Sequence, residues 1–265
     1  VARTKQTNSV DGSGAIYNAL NQLPEVPARN PDGSFGMQTE NMYGTYFSNP
    51  LSDLIQNENY SRSTQVYVNA FAYIKLWKGL VFRTEYAANY NYNTGYRFTP
   101  SYDYEFFKQQ SSASRSAGNG SNWTLKTYLT YNGTFGKHNV SVMAGHEAQE
   151  NNWESLDGSR TNFLFNSVHE LNAGDATTAK ANSSRGSSAI ESYFGRLNYN
   201  FADRYLLTAT LRADGSSSFA KESRWGWFPS VALAWKVNNE AFLKDVEAIN
   251  SLKLRLGWGV VGNQW

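Results

Sequence analysis

From residue 62 onward, apolar and polar residues alternate with a period of two, the signature of strands whose two faces meet unlike surroundings. About eight such runs follow one another. The first two carry Val66, Val68, Ala70, Ala72, Ile74 and Leu76, then, after a tight turn at Trp77 to Gly79, Leu80, Phe82, Tyr86 and Tyr90. The third sets Trp123, Leu125, Leu129, Tyr131 and Phe135 against Lys126, Tyr128, Thr130, Asn132 and Thr134; a turn at Gly136 to His138 leads into the fourth, with Val140, Val142 and Ala144. The clearest hairpin spans Ser192 to Phe219. Its apolar face reads Tyr193, Leu197, Tyr199 and Phe201, then Tyr205, Leu207, Ala209, Leu211 and Ala213; Arg196, Asn198, Asn200, Thr208, Thr210, Arg212 and Asp214 take the other face. The seventh run places Trp227, Val231, Leu233, Trp235 and Val237 opposite Ser230, Ala232, Ala234 and Lys236. The eighth places Leu252, Leu254, Leu256 and Trp258 opposite Lys253, Arg255 and Gly257.

The connections alternate as well: short at 77–79, 136–138 and 202–204, long at 95–120 and 153–188, intermediate at 216–224. Short turns on one side and long loops on the other are the habit of outer-membrane barrels, whose short turns are periplasmic and whose long loops are extracellular. Runs of about 10 to 13 residues also match the ~9–11 that a tilted strand needs to cross a bilayer. The expected fold is therefore all-β, an antiparallel transmembrane barrel segment. Residues 1–61 are expected to form an extracellular loop region with short helical pieces at Gly14 to Pro24 and Asn49 to Ile55 and a turn at Asn30 to Gly36. Residues 62–263 are expected to supply barrel strands and loops, with one helical turn in the linker 238–251. Aromatic rings gather where membrane girdles belong: Trp77, Phe135, Phe201, Tyr205 and Trp235 beside the short turns, Trp227 and Trp258 toward the other end.

Composition supports this picture. The chain holds 17 Tyr, 15 Phe and 8 Trp in 265 residues, yet only 40% is hydrophobic and the mean hydropathy is −0.56. A wall with lipid on one side and water on the other needs only every second residue to be apolar. A formal net charge of +2 gives no reason to expect nucleic acid as a partner, and the absence of cysteine excludes disulfides and thiolate chemistry. His138, His146 and His169 are too scattered for a metal site, and no GxSxG, HExxH or phosphate-cradling loop occurs. Neither an enzyme nor a cofactor is indicated. The charges Arg196, Arg212, Asp214, Lys253 and Arg255 are expected to face the lumen, as a cross-strand ladder ahead of any substrate contact. Ligand contact is sought in the long loops, where Tyr96, Tyr102, Tyr104, Phe106, Phe107 and Trp153 offer flat faces to sugars or to peptides.

The blocks YFGRLNYNFADRYLLTATLRADGSSSF, WGWFPSVALAW and LKLRLGWGVVGNQ, in that order, resemble the SusC/RagA-type TonB-linked outer-membrane proteins of Bacteroidota, as do NPDGSFG, NPLSDLI and KGLVFRTEY upstream. The resemblance implies a barrel of about 22 strands closed by a plug and set in outer-membrane lipid. It implies import of oligosaccharides or peptides with energy from TonB, beneath a SusD-like surface lipoprotein. The chain shows no TonB-box or plug segment, so it is expected to be an internal fragment whose link to the TonB complex runs through an absent N-terminal region. Two other classes fit the alternation: a non-transporting outer-membrane barrel and a soluble β-sandwich that binds carbohydrate.

Overall fold

The computed structural model describes residues 1–7, 12–38, 48–103, 108–243 and 250–262. The strands are β1 (Ala2–Thr7), β2 (Glu58–Trp77), β3 (Leu80–Thr99), β4 (Tyr102–Asp103), β5 (Lys108–Gln109), β6 (Ser112–Phe135), β7 (His138–Thr161), β8 (Lys180–Phe201), β9 (Tyr205–Ser216), β10 (Trp225–Lys236) and β11 (Lys253–Gly259). Two helices are formed, α1 (Gly12–Asn21) and α2 (Pro50–Gln56). The main sheet runs β1-β2-β3-β6-β7-β8-β9-β10-β11, and β4 pairs with β5 apart from it.

Two expectations are corrected. The first stretch is not all loop and helix, because Ala2–Thr7 pairs antiparallel with β2, Ala2 opposite Gln65 and Thr7 opposite Tyr60. That segment is polar on both faces and is held by backbone pairing, which leaves no apolar periodicity to read. The long loops are also shorter than expected. Strands β6 and β7 each run 24 residues and β8 runs 22, so much of 95–120 and 153–188 is strand. Where Ser112, Ser114 and Ser116 alternate with Ala113, Arg115 and Ala117, both faces lack large apolar residues and the period-two signal fades.

The chain divides into two compact units. In the unit formed by Val1–Val66, Tyr90–Gly120 and Trp153–Gly186, a small core gathers Tyr96, Phe98, Ala113 and Phe163, with Tyr60, Leu171 and Ala173 against it. Phe98 is 1% exposed. It meets Phe163 edge-on at 5.6 Å and carries His169 stacked at 3.9 Å. The connection after β7 is thus folded back onto the strands. Helix α2 starts cleanly because the Asn49 side chain accepts from Leu51 N (3.0 Å) and Ser52 N (3.2 Å) ahead of Pro50. Asn49 also donates to Gly36 O at 2.8 Å, anchoring the turn region 30–36.

In the unit formed by Tyr67–Asn89, Ser121–Asn152 and Ser187–Trp265, the register of β8 to β11 settles which residues share a face. Tyr193 lies opposite Ala213 and Ala213 opposite Trp227; Leu197, Ala209, Val231 and Trp258 form one row, Tyr199, Leu207, Leu233 and Leu256 the next, Phe201, Tyr205, Trp235 and Leu254 a third. These rows make one exposed apolar band, much larger than a water-soluble surface carries. Val237 departs from the expectation: it follows β10 in a 3-10 turn, buried, with its N–H on Leu252 O at 2.9 Å. The short turns use left-handed backbone: Gly79 at φ 81°, Gly136 at φ 62°, and Ala202 and Asp203 at φ 53° and 54°.

Candidate functional site

The face opposite the apolar band carries a charge network spanning four strands. Glu147 on β7 lies 3.6 Å from Lys126 of β6 and 3.6 Å from Arg212 of β9. Arg212 also binds Asp214 through Nε at 2.6 Å, donates to Ser192 Oγ of β8 at 2.8 Å and lies over the Phe194 ring. Glu147 is 16% exposed, so this network is shielded from water more than a surface pair. Bound on three sides, Arg212 is fixed in place. Beside it opens a cavity of about 830 Å³ between Ile190, Arg212, Asp214, Phe219, Arg224 and Phe228. The Arg224 guanidinium there is positioned by Phe219 O at 3.2 Å.

The register puts all five singled-out charges on this face: Arg196 opposite Thr210, Arg212 opposite Phe194 and Phe228, Asp214 opposite Ser192, Arg255 opposite Ala234, Lys253 opposite Lys236. Only Arg212 and Asp214 join the network. Arg196, Lys253 and Arg255 have no ion-pair partner among the described residues. Lys236 escapes the repulsion of Lys253 by pairing with Asp203 at 2.5 Å. Sequence reasoning missed Glu147 and Lys126. They were findable, since Lys126 already stood on the polar side of its run and Glu147 interrupts β7 at a position alternate to Val140, Val142 and Ala144.

Among the aromatics expected in girdles, Trp77 ends β2 and is 79% exposed, and Phe135 ends β6. Phe201, Tyr205 and Trp235 stack in series at 6.4 and 6.5 Å. A buried carboxylate ties this row together: Glu240 accepts from Tyr205 Oη (2.8 Å), Trp235 Nε1 (3.0 Å) and Arg204 Nη1 (3.0 Å). Those bonds, Trp235 first, hold the Glu240 carboxyl below its usual range. At the far end Trp227 has Trp225 as its neighbour on the same face, stacked on Tyr193 at 5.9 Å. Trp258 is not beside them. It lies opposite Val231, in the middle of the band.

The loop aromatics prove mixed. Tyr104, Phe106 and Phe107 lie outside the described residues. Tyr96 belongs to β3 rather than to a loop. It is 5% exposed, packed on Tyr60 at 4.9 Å with the Arg115 guanidinium 4.1 Å above its ring. Tyr102 is buried and accepts from Ser52 Oγ at 3.1 Å. Both are packing residues. Trp153, on β7, is 47% exposed and remains open to a ligand.

With the geometry in hand, comparison with known proteins places it. The family model "TonB dependent receptor-like, beta-barrel" matches residues 6–262. TonB-dependent receptor P3 of Formosa agariphila is 31% identical over 264 residues, which cover 99% of this chain and 26% of that protein. TonB-dependent receptor SusC of Bacteroides thetaiotaomicron is 42% identical over 146 residues, covering 54% of this chain and 14% of SusC. The chain therefore spans about a quarter or less of the length of these curated relatives. The solved structure of the RagAB peptide transporter superposes with a TM-score of 0.78 at 22% identity, covering 88% of this chain and 26% of that one, and so shares its fold. By its match to the family model over nearly all its length, the chain belongs to the β-barrel of the TonB-dependent receptor family.

Proposed function

We propose that these residues are part of the wall of a TonB-dependent outer-membrane importer, with the apolar band in lipid and the Arg212 face toward the lumen. The observation that carries this reading is the register of β8 to β11, which collects large exposed apolar residues on one face and ionisable residues on the other. The short turns then lie in the periplasm, and residues 1–61 with the connections 100–111 and 162–179 lie outside the cell. The cargo class is oligosaccharide or peptide, captured beneath a SusD-like lipoprotein, with energy from the TonB complex. The work is transport, not catalysis.

A pair of neighbouring substitutions tests it in the full-length protein. Ala209→Arg puts a charge in the apolar band and Thr208→Arg puts the same charge on the polar face. An arginine near the bilayer midplane costs roughly 2–4 kcal/mol, so Ala209→Arg should lower the yield of heat-modifiable folded barrel while Thr208→Arg leaves it near wild type. Equal tolerance of both substitutions would overturn the lipid assignment. Uptake that persists in cells lacking TonB would overturn energy coupling.

A further inference from the structure

The indole of Trp153 lies flat on the sheet. A Cβ placed at Gly186 of β8 would sit 2.8 Å from three atoms of that ring, so the glycine lets the ring rest on the wall with its other side turned to solvent. Along the same two strands the next rungs are Ser155 with Ser184, joined Oγ to Oγ at 2.8 Å, and Asp157 with Asn182, whose amide donates to the carboxylate at 3.1 Å. All five side chains on this strip are exposed. The surface continues in kind onto β6, where Gly118 lies against Ser155 and Ser116 against Gly95 of β3. Asp157 is the one charged group among these residues.

We propose that this strip is a binding subsite for a neutral linear oligosaccharide. The inference rests on the importer reading above, in which odd-numbered positions of β7 face the lumen, and it chooses between that reading's two cargo classes. A flat exposed indole takes the C–H face of a sugar ring, and paired hydroxyls and a carboxylate–amide pair take the hydroxyls at its edge. From Trp153 to Asp157 is about 13 Å along the strand, room for a short run of linked rings. A peptide finds much less here. Its backbone would pair at a strand edge, such as that of β8 before Ile190 where β9 ends, and not on the sheet face that carries these side chains. Its side chains would need apolar or charged pockets, and the strip has one ring and one carboxylate.

The test uses the full-length transporter in detergent, with maltohexaose, cellohexaose and xylohexaose as probes beside a capped neutral decapeptide, read by titration calorimetry. At least one hexasaccharide is expected to bind. Trp153→Ala should weaken it at least about tenfold, Trp153→Phe should retain most of the affinity, and Gly186→Val, which keeps the indole but lifts it from the wall, should weaken it like Trp153→Ala. Heat-modifiable mobility certifies that each variant is folded, and Asp157→Asn supplies a further variant that leaves the ring untouched. Binding of the decapeptide alone, or hexasaccharide binding indifferent to Trp153 and Gly186, overturns the subsite. Either result leaves the importer reading intact if uptake remains TonB-dependent, whereas equal tolerance of the Ala209 and Thr208 substitutions overturns the lipid assignment and with it the lumenal placement of this strip.

Discussion

Tyr96 shows how little a residue type says without its partners. As a tyrosine in a stretch rich in rings it read as a ligand platform, yet it is packed between Tyr60 and Arg115. Its parity held the signal: Tyr86, Tyr90, Tyr92, Tyr96 and Phe98 all fall on even positions of one strand, so the pattern of β3 runs on past the point where the loop was placed. Because its ring is buried, Tyr96→Ala should cost about 3–5 kcal/mol, the usual loss for a buried ring, read as a lower urea midpoint of the refolded full-length protein; a loss below about 1 kcal/mol would mean that Tyr96 is not packed as described.

At the scale of elements, faces were legible and lengths were not. Alternation fixes parity wherever one face is apolar, and the β8–β9–β10–β11 register agrees with it row by row. It cannot say where a strand ends once both faces turn polar, as in β1 and the far half of β6. The turn between β8 and β9 was read from its shortness, but its chemistry lies in its partners. Asp203 has φ 54° and accepts from Lys236, Asn200 and Asn239, and the bond from Lys236 leads in holding its carboxyl below the usual range. That contribution is present above the unfolded pKa of about 3.9 and is lost as pH falls through the lower folded value. Asp203→Asn, which tolerates the same backbone, should cost more at pH 7 than at an acidic pH below the ordinary carboxyl range, where the charge contribution fades. Asp203→Val should cost about 1–2 kcal/mol at either pH, because a β-branched residue resists positive φ. Urea midpoints of the refolded full-length barrel at the two pH values would separate charge from backbone, and equal losses for both variants would refute the distinction.

For the whole molecule, the match over residues 6–262 puts the chain within one barrel family, and the curated relatives it matches are far longer. The family was legible because the 190–263 blocks combine a tight turn, a row of aromatics and alternating strands in one run of residues. The charge network was less so. Glu147, Lys126 and Arg212 lie on three strands, and sequence spacing does not report which rungs meet across a sheet.

The strand order bears on how such a wall is built. From β2 to β11 each strand of the main sheet lies beside the one that precedes it there in the chain, so nearly every pairing closes a short loop and the entropy of closure stays small. Assembly can then advance hairpin by hairpin, as a zipper with one growing edge, which is the fast regime of low contact order. The exception is β1, which reaches β2 across residues 8–59. During refolding into bilayers, a fluorescent label at Thr4 should report pairing only after one at Thr208 has finished, so that β1 docks later than β9 although it precedes it in the chain.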